Sequence, residues 1–364
     1  MEKAQRFFLR YLWQAAVIFA VLTGSIIYFW PGEKESGGDG SIIVYDDLGR
    51  RIELAEPLKR VAVANAYNTD LTELVSALGC LDTIVGVDQN ILENNEAFHN
   101  RFARDQLICA REGLVINYEK VVELQPQALL ISEKGSWYDA QEKLAPFGIK
   151  VIVINTHDLK DFSKNCRLLG KLFDREDRAR EIESYFGGQL AYVQEALSRI
   201  KNRKPVYFEC GSPGATTIPG SYFYSLVEYT GSSNIMEDAV ERHIVPEAVV
   251  LRNPEYIVKM SDRRWNYSYR PPTEEENRLI REELMNRPGW DEIEAVQKGN
   301  IFQLSYFSHC GASKIIGVLY VAKFLYPEYL PDLHPEAVFK IWLTDYLGLE
   351  YIPGHTYPVM GLDE

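Results

Sequence analysis

Aromatic and arginine side chains concentrate in segments that directly follow predicted strands. Flat rings offer apolar walls for a macrocycle or a catecholate, and the guanidinium fork of arginine binds carboxylate or other anionic oxygen. Arginines kept in such segments of an acid-rich chain point to an anionic ligand. The candidate ligand-binding residues are Asn65, Tyr67, Trp137, Tyr138, Tyr222, Tyr224, Arg263, Arg264, Trp265, Tyr267, Tyr306 and His309.

His309 lies beside Tyr306 and Cys310 and has a ring nitrogen that could ligate a haem iron or another metal directly. A lone histidine is more often a hydrogen-bonded structural residue, and the other histidines show no ligand spacing. The sequence therefore predicts no metal site and no cofactor of the protein's own.

Two glutamates begin matched segments of the chain, at residues 118–131 and 246–258. Glu119 and Glu247 are each followed, after one spacer, by two apolar residues, then by a proline and an apolar strand. Because the proline ends each short helix before the strand, each glutamate should lie at a helix N-terminus, at equivalent places in two repeated units. One such glutamate would only stabilise its helix, but two in matched positions predict a paired surface feature.

Strands and helices alternate along the chain and must position these residues. A hairpin at 42–54 opens the body, and two amphipathic helices, at 317–325 and 335–346, close it. A proline-free stretch at 159–200 predicts one long helix, which could break near 173–174 or 187–188. Apolar strands are predicted at 61–63, 84–87, 128–131, 151–154, 206–209, 256–259 and 300–304.

This alternation predicts an α/β fold with two Rossmann-like lobes, each built on a parallel sheet, joined by the long helix. Ligands of such sheets bind beyond the carboxyl ends of the strands, so we expect a ligand cleft between the lobes. The predicted divisions are an N-terminal anchor or signal segment (1–31), a flexible tether (32–40), an N-terminal lobe (41–160), an interlobe helix (161–203) and a C-terminal lobe with terminal helices and a tail (204–364).

The uncharged segment at residues 11–30 follows Lys3, Arg6 and Arg10. At 1.5 Å per residue its roughly 20 residues would just span a bilayer, and the basic flank should stay in the cytoplasm. The body is therefore expected to be extracytoplasmic. An uncleaved anchor is favoured over a cleaved signal peptide, and the lack of a nearby cysteine argues against lipoprotein processing.

Composition excludes several classes of function. The 364 residues carry 39 Lys+Arg against 52 Asp+Glu, a net charge of −13 that would repel nucleic-acid phosphates. The five cysteines are scattered, without the spacing of a zinc or dithiol site. The sequence contains no nucleophile elbow or phosphate loop, so we do not expect an enzyme.

The order and spacing of several motifs resemble the extracytoplasmic substrate-binding proteins of ABC importers for ferric siderophores, haem and cobalamin. The resemblance covers nearly the whole body. Its departures are the missing lipoprotein cysteine and an extended tail at 330–364. The motifs are Leu-Thr-Glu-Leu at 71–74, Ala-Leu-Gly at 77–79, Ile-Val-Gly-Val at 84–87, the two glutamate-led repeats, Tyr-Thr-Gly-Ser-Ser-Asn at 229–234 and Pro-Gly-Trp-Asp at 288–291.

The resemblance implies a monomer that captures an iron complex, with a ferric siderophore preferred over haem or cobalamin. It implies a rigid interlobe helix and only small lobe movements. The partners would be the permease and, through it, its ATPase, with Glu119 and Glu247 meeting arginines on the transmembrane subunits. Two alternatives remain open: a membrane-anchored ligand sensor, and a chelatase-like enzyme that inserts metal into tetrapyrroles.

Overall fold

A short antiparallel hairpin opens the part of the chain that the computed structural model describes. Strands β1 (Ile42–Tyr45) and β2 (Arg51–Leu54) pair as predicted. The Asp46 carboxylate accepts hydrogen bonds from the backbone N–H groups of Leu48 and Arg50, both at 3.0 Å, which closes the turn. The described residues are 41–65, 69–94, 98–110, 115–156, 158–221, 223–260, 269–309 and 311–358.

Within the described residues, six strands form the sheet of the N-terminal lobe in the order β6-β5-β4-β3-β7-β8. Every pair is parallel except β5 with β6. The strands are β3 (Val61–Ala64), β4 (Ile84–Asp88), β5 (Leu107–Ala110), β6 (Val115–Ile116), β7 (Ala128–Ile131) and β8 (Lys150–Val153), and the helices are α1 (Asp70–Ala77), α2 (Tyr118–Leu124) and α3 (Trp137–Leu144). The short, fully apolar central strands are buried on both faces, as expected of a parallel sheet.

The single long helix predicted at 159–200 is instead two helices, α4 (Phe162–Phe173) and α5 (Glu176–Leu197). The chain breaks at the first of the two sites foreseen, because Asp174 adopts a left-handed conformation with φ of 55°. It stays helical through Gly187 and Gly188. The 22 residues of α5, about 33 Å long, therefore form the connection between the lobes.

The C-terminal lobe has a five-stranded sheet within the described residues, in the order β10-β9-β11-β12-β13, with only β13 antiparallel to its neighbour. Its strands are β9 (Pro205–Cys210), β10 (Ser233–Asn234), β11 (Tyr256–Met260), β12 (Ile301–Leu304) and β13 (Thr356–Tyr357), and its helices are α6 (Ser225–Glu228), α7 (Pro246–Arg252), α8 (Glu274–Met285), α9 (Glu294–Gln297), α10 (Gly311–Leu325) and α11 (Pro335–Ile341). Helix α10 begins six residues before the predicted start at Gly317. That glycine lies inside the helix, where an added Cβ would approach the Ser308 Cβ to 2.8 Å.

The predicted C-terminal tail is part of the fold as far as it is described. Leu330 and Leu333 are buried, and α11 continues into a π-helical turn, Trp342–Leu347, whose Trp342 and Leu343 are also buried. Strand β13 then adds an edge to the C-terminal sheet. The helix predicted at 335–346 is present as α11 and its π-helical continuation, and its apolar side chains are packed into the core.

One apolar core runs through both lobes. It joins side chains of β3 and α1 in the N-terminal lobe to those of α4 and α5, and then to β9, β12, α10 and α11 in the C-terminal lobe. Two smaller clusters lie under α2 with α3 and beneath α7. A close-packed core shared by both lobes resists large relative movement.

The predicted anchor and tether at residues 1–40 lie outside the described part of the chain. Among the residues that are described, no helix is both long and apolar enough to cross a membrane.

Candidate functional site

The carboxyl ends of six strands define the two sides of the expected cleft. In the N-terminal lobe β4, β3 and β7 are neighbours, and in the C-terminal lobe β9, β11 and β12 are neighbours. Because neighbouring parallel strands end at the same edge of a sheet, the segments that follow them lie side by side. The sequence candidates come mainly from these segments.

Asn65 follows β3 and is only 2% exposed. Its side-chain amide donates to Thr72 Oγ1 (2.9 Å) and to Asp88 Oδ2 (2.7 Å), and its oxygen accepts from the N–H groups of Leu71 and Thr72. All of its side-chain hydrogen-bonding capacity is thus used within the lobe. Asn65 holds the start of the segment that carries Tyr67, which itself lies outside the described residues.

Asp88, at the end of β4, is the partner that sequence reasoning missed. Burial raises the pKa of its carboxyl group, although hydrogen bonds from Asn65, Ile91 and Asn90 oppose that shift. The contacts span 23 residues of sequence, so local pattern gave no sign of the pair.

Trp137 and Tyr138 open α3, beyond the carboxyl end of β7. Trp137 is half-buried, with the guanidinium of Arg50 5.0 Å from its ring centre. Tyr138 is 68% exposed and meets the Trp137 ring edge-on at 5.8 Å. The pair presents aromatic surface at the carboxyl edge of the N-terminal sheet.

Two candidates of the C-terminal lobe, Tyr224 and Tyr306, have described side chains. Tyr224 is half-buried, and its hydroxyl donates to Glu237 at 3.3 Å. Tyr306, also half-buried, begins the turn Tyr306–His309 after β12. The His309 side chain is not described, and no described group of His, Cys, Asp or Glu side chains could hold a metal ion. The candidates outside the described residues are Tyr222, Arg263, Arg264, Trp265 and Tyr267.

A buried ionic cluster, Glu209 with Lys259 and Arg287, lies near the carboxyl ends of β9 and β11. Lys259 Nζ is 3.0 Å from Glu209 Oε1, and Arg287 grips both carboxylate oxygens at 2.6 and 2.9 Å. Burial alone would raise the pKa of Glu209, but the hydrogen bonds from Arg287 and the charges of Lys259 and Arg287 outweigh it and lower that pKa. Sequence reasoning missed the cluster, although charged residues within two predicted buried strands were a usable signal.

Glu119 and Glu247 each lie in the first turn of a seven-residue helix, α2 and α7, as the repeat predicted. Both helices end in a left-handed residue, Gln125 and Asn253, and lead into β7 and β11. Each helix runs back along its sheet to reach the start of a parallel strand. Its N-terminus therefore lies toward the carboxyl edge, the edge at which the cleft is expected.

Both glutamates are exposed, and neither makes an ion pair with another described residue. Their surroundings differ. Leu251, one helical turn after Glu247 on α7, is 87% exposed, and Val245, immediately before the helix, is 64% exposed. The equivalent of Leu251 on α2 is Glu123, which pairs with Lys120. The C-terminal surface thus combines a carboxylate with apolar groups, whereas the N-terminal surface is charged.

Comparisons with known proteins agree with this architecture. Over 301 residues the chain is 25% identical to YvrC of Bacillus subtilis strain 168, an uncharacterized ABC transporter substrate-binding lipoprotein, covering 79% of this chain and 86% of YvrC. It is 21% identical over 254 residues to the petrobactin-binding protein YclQ of the same organism, covering 66% and 78%. Its fold matches the TroA-like periplasmic binding protein FepB of Veillonella parvula with a TM-score of 0.75, at 23% identity and coverage of 88% and 100%.

A family model described as periplasmic binding protein matches residues 65–306, about two thirds of the chain. The match begins at the end of β3 and runs through both sheets to the turn after β12. The resemblance read from the sequence motifs is therefore confirmed, and this chain belongs to the periplasmic binding protein family.

Proposed function

We propose that this protein is the extracytoplasmic substrate-binding component of an ABC importer. It captures an iron complex between its lobes and delivers the complex to the transmembrane permease. The observation that carries this proposal is the matched pair of exposed glutamates, Glu119 and Glu247, each at the start of an equivalent helix on the cleft edge of its lobe. Two carboxylates fixed on one continuously packed body are suited to setting the orientation of that body on a partner.

The proposed ligand is a ferric siderophore, with haem and cobalamin as the alternatives that the test distinguishes. In this proposal Trp137 and Tyr138 would supply aromatic surface on one side of the cleft, and Tyr224 and Tyr306 would supply it on the other. Arg263 and Arg264 follow β11 in the sequence and would neutralise an anionic complex. The relative YclQ is named a petrobactin-binding protein, which supports the choice of a siderophore as the first ligand to test.

The proposed docking partners are arginines on the two transmembrane subunits. Exposed ion pairs of this kind contribute registration and association rate more than affinity. The apolar side chains of Leu251 and Val245 beside Glu247 would add buried area on that side. We further propose that the protein is a monomer anchored at the outer face of the membrane by residues 11–30. The relative YvrC is named a lipoprotein. In this chain the first cysteine is Cys80, too far from the apolar segment to carry a lipid there, so the segment itself would serve as the anchor.

Tryptophan-fluorescence titration tests the ligand. The full chain in detergent is titrated with a panel of ferric siderophores, haemin and cyanocobalamin. Saturable quenching at sub-micromolar concentration by one class identifies the ligand, with Trp137→Phe reducing the signal. No response to any of the three would contradict the metal-complex assignment.

The docking role is tested with the double variant Glu119→Ala, Glu247→Ala in an uptake assay. We expect uptake to fall at least tenfold while ligand affinity stays within twofold of the parent protein. A matched control removes two other exposed glutamates, Glu142 and Glu292, one from each lobe. If the control variant loses as much uptake, or if the test variant loses ligand affinity, the docking role is wrong. If the protein binds its ligand but supports no uptake through an importer, the membrane-anchored sensor would be favoured.

A further inference from the structure

The buried cluster of Glu209, Lys259 and Arg287 lies at the ends of two neighbouring strands. Glu209 and Lys259 are cross-strand partners on β9 and β11, each one residue before the strand ends. Glu209 is fully buried and Lys259 is 5% exposed. One buried carboxylate is therefore held by two cations at the edge where β9 and β11 open toward the cleft.

The same carboxylate fixes the turn that follows β9, residues 211–216. Glu209 Oε2 accepts a hydrogen bond from the Gly214 N–H at 3.0 Å, and Lys259 Nζ donates to the Gly211 carbonyl oxygen. The Cys210 N–H donates to the Ala215 carbonyl oxygen at 2.7 Å, which closes the turn. The 211–216 turn is thus held by buried charges on both of its arms.

Backbone hydrogen bonds connect the 211–216 turn to the segment just before α7. The Ile244 N–H donates to the Gly214 carbonyl oxygen at 3.0 Å, and the Thr216 N–H donates to the Arg242 carbonyl oxygen at 2.7 Å. Gly214 has a φ of +76°, and a Cβ there would lie 2.8 Å from the Ile244 carbonyl oxygen, so the two backbones approach as only glycine permits. Two residues after Ile244, Pro246 begins α7.

We propose that Glu209 is a positioning residue that sets two surfaces at once, the C-terminal edge of the cleft and the helix start that carries Glu247. This inference rests on the proposed function, because it assigns those surfaces to ligand and permease. Glu209 holds Gly214, Gly214 holds Ile244, and Ile244 leads directly into α7. The distance between a ligand bound at the 211–216 turn and Glu247 would therefore be fixed when Glu247 docks on the permease.

The chemistry of the cluster separates positioning from simple stabilisation. Buried ion pairs can often be replaced by apolar side chains of similar volume without loss of stability. An apolar side chain cannot accept the hydrogen bond from the Gly214 N–H. A variant in which Glu209, Lys259 and Arg287 are all Met should therefore fold but release the turn, whereas Glu209→Gln leaves two buried cations without their carboxylate.

Hydrogen–deuterium exchange of the ligand-free full chain in detergent tests this inference. In the triple Met variant we expect peptides covering 210–217 and 242–248 to exchange at least tenfold faster, with β12 within twofold of the parent protein. Tyr207→Phe is the matched control, because it removes a 3.2 Å contact to Glu209 Oε2 and keeps the Gly214 contact. It should leave both peptides unchanged.

Unchanged exchange in both peptides of the triple variant would overturn the inference. Equal acceleration throughout the C-terminal lobe, including β12, would also overturn it by showing a purely structural role. Should the triple variant not fold, the same comparison is made with the double variant Glu209→Met, Lys259→Met, which also removes the acceptor of the Gly214 N–H and leaves Arg287, whose side chain is partly exposed. Because neither ligand nor permease is used, the result stands apart from the outcome of the binding and uptake assays.

Discussion

Arg178 near the start of α5 joins three parts of the molecule, and its removal tests whether the C-terminal segment holds the lobes together. Its Nε donates to the Ala77 carbonyl oxygen at the end of α1 (3.1 Å), and its Nη2 donates to the Asp345 carbonyl oxygen (2.8 Å). The guanidinium also lies 4.1 Å from the ring centre of Tyr346. One side chain thus connects the N-terminal lobe, the interlobe helix and the C-terminal π-helical turn.

The size of the effect follows from these contacts. Hydrogen bonds from a charged donor contribute about 1.5–3 kcal/mol each when buried, and the lower end applies because the Arg178 side chain is 29% exposed. The cation–π contact adds about 0.5–1 kcal/mol. Arg178→Ala should therefore lower the free energy of unfolding by about 3–4 kcal/mol, which corresponds to roughly 4–5 °C in midpoint for a chain of this size, because the entropy of unfolding grows with chain length.

Urea unfolding followed by tryptophan emission measures the loss, since Trp342 is buried beside Tyr346. Arg180→Ala is the matched control on the same helix. Arg180 pairs only with exposed Asp177 among the described residues, so its loss should cost no more than about 0.5 kcal/mol. Equal losses in the two variants would refute the argument and show that the C-terminal segment is not held through Arg178.

Two further predictions concern buried groups. Burial lowers the pKa of His355 to about 3, so below the ordinary value of 6.5 the unfolded chain takes up a proton that the folded chain does not. Stability should therefore fall as the pH drops from 7 to 5, by about 2 kcal/mol from this group, and His355→Gln should remove that share of the loss in urea midpoints at the two pH values. An identical pH slope in the variant would contradict a neutral buried histidine. Gly170→Ala should destabilise by about 1–3 kcal/mol, because its Cβ would lie 2.6 Å from the Ala179 Cβ where α4 meets α5. Gly187→Ala is the control, because an added Cβ there has no atom within 4 Å, and it should stabilise the protein by about 0.5–1 kcal/mol. If the thermal midpoints of the two variants shift in the same direction, the close contact between Gly170 and Ala179 is wrong.

The sequence was most informative where structure follows from local pattern. Apolar strands alternating with helices predicted both parallel sheets, since that arrangement buries both faces of each strand. The glutamate-led repeat placed Glu119 and Glu247 at helix starts, because the proline that follows limits each helix. The same pattern predicts that the segments after the strands form the cleft edge, and this placement stays a prediction.

The sequence by itself therefore determined the fold class and the family, and it predicts which segments would form the site. Tertiary structure decided which of the side chains in those segments are already engaged in contacts within the protein. Asn65 is committed to Asp88 and to α1, and Glu209 meets Arg287, 78 residues away in sequence. The break at Asp174 and the packing of the C-terminal segment also needed partners from other elements. Such pairs depend on which elements the fold brings together, and no spacing along a single segment encodes them.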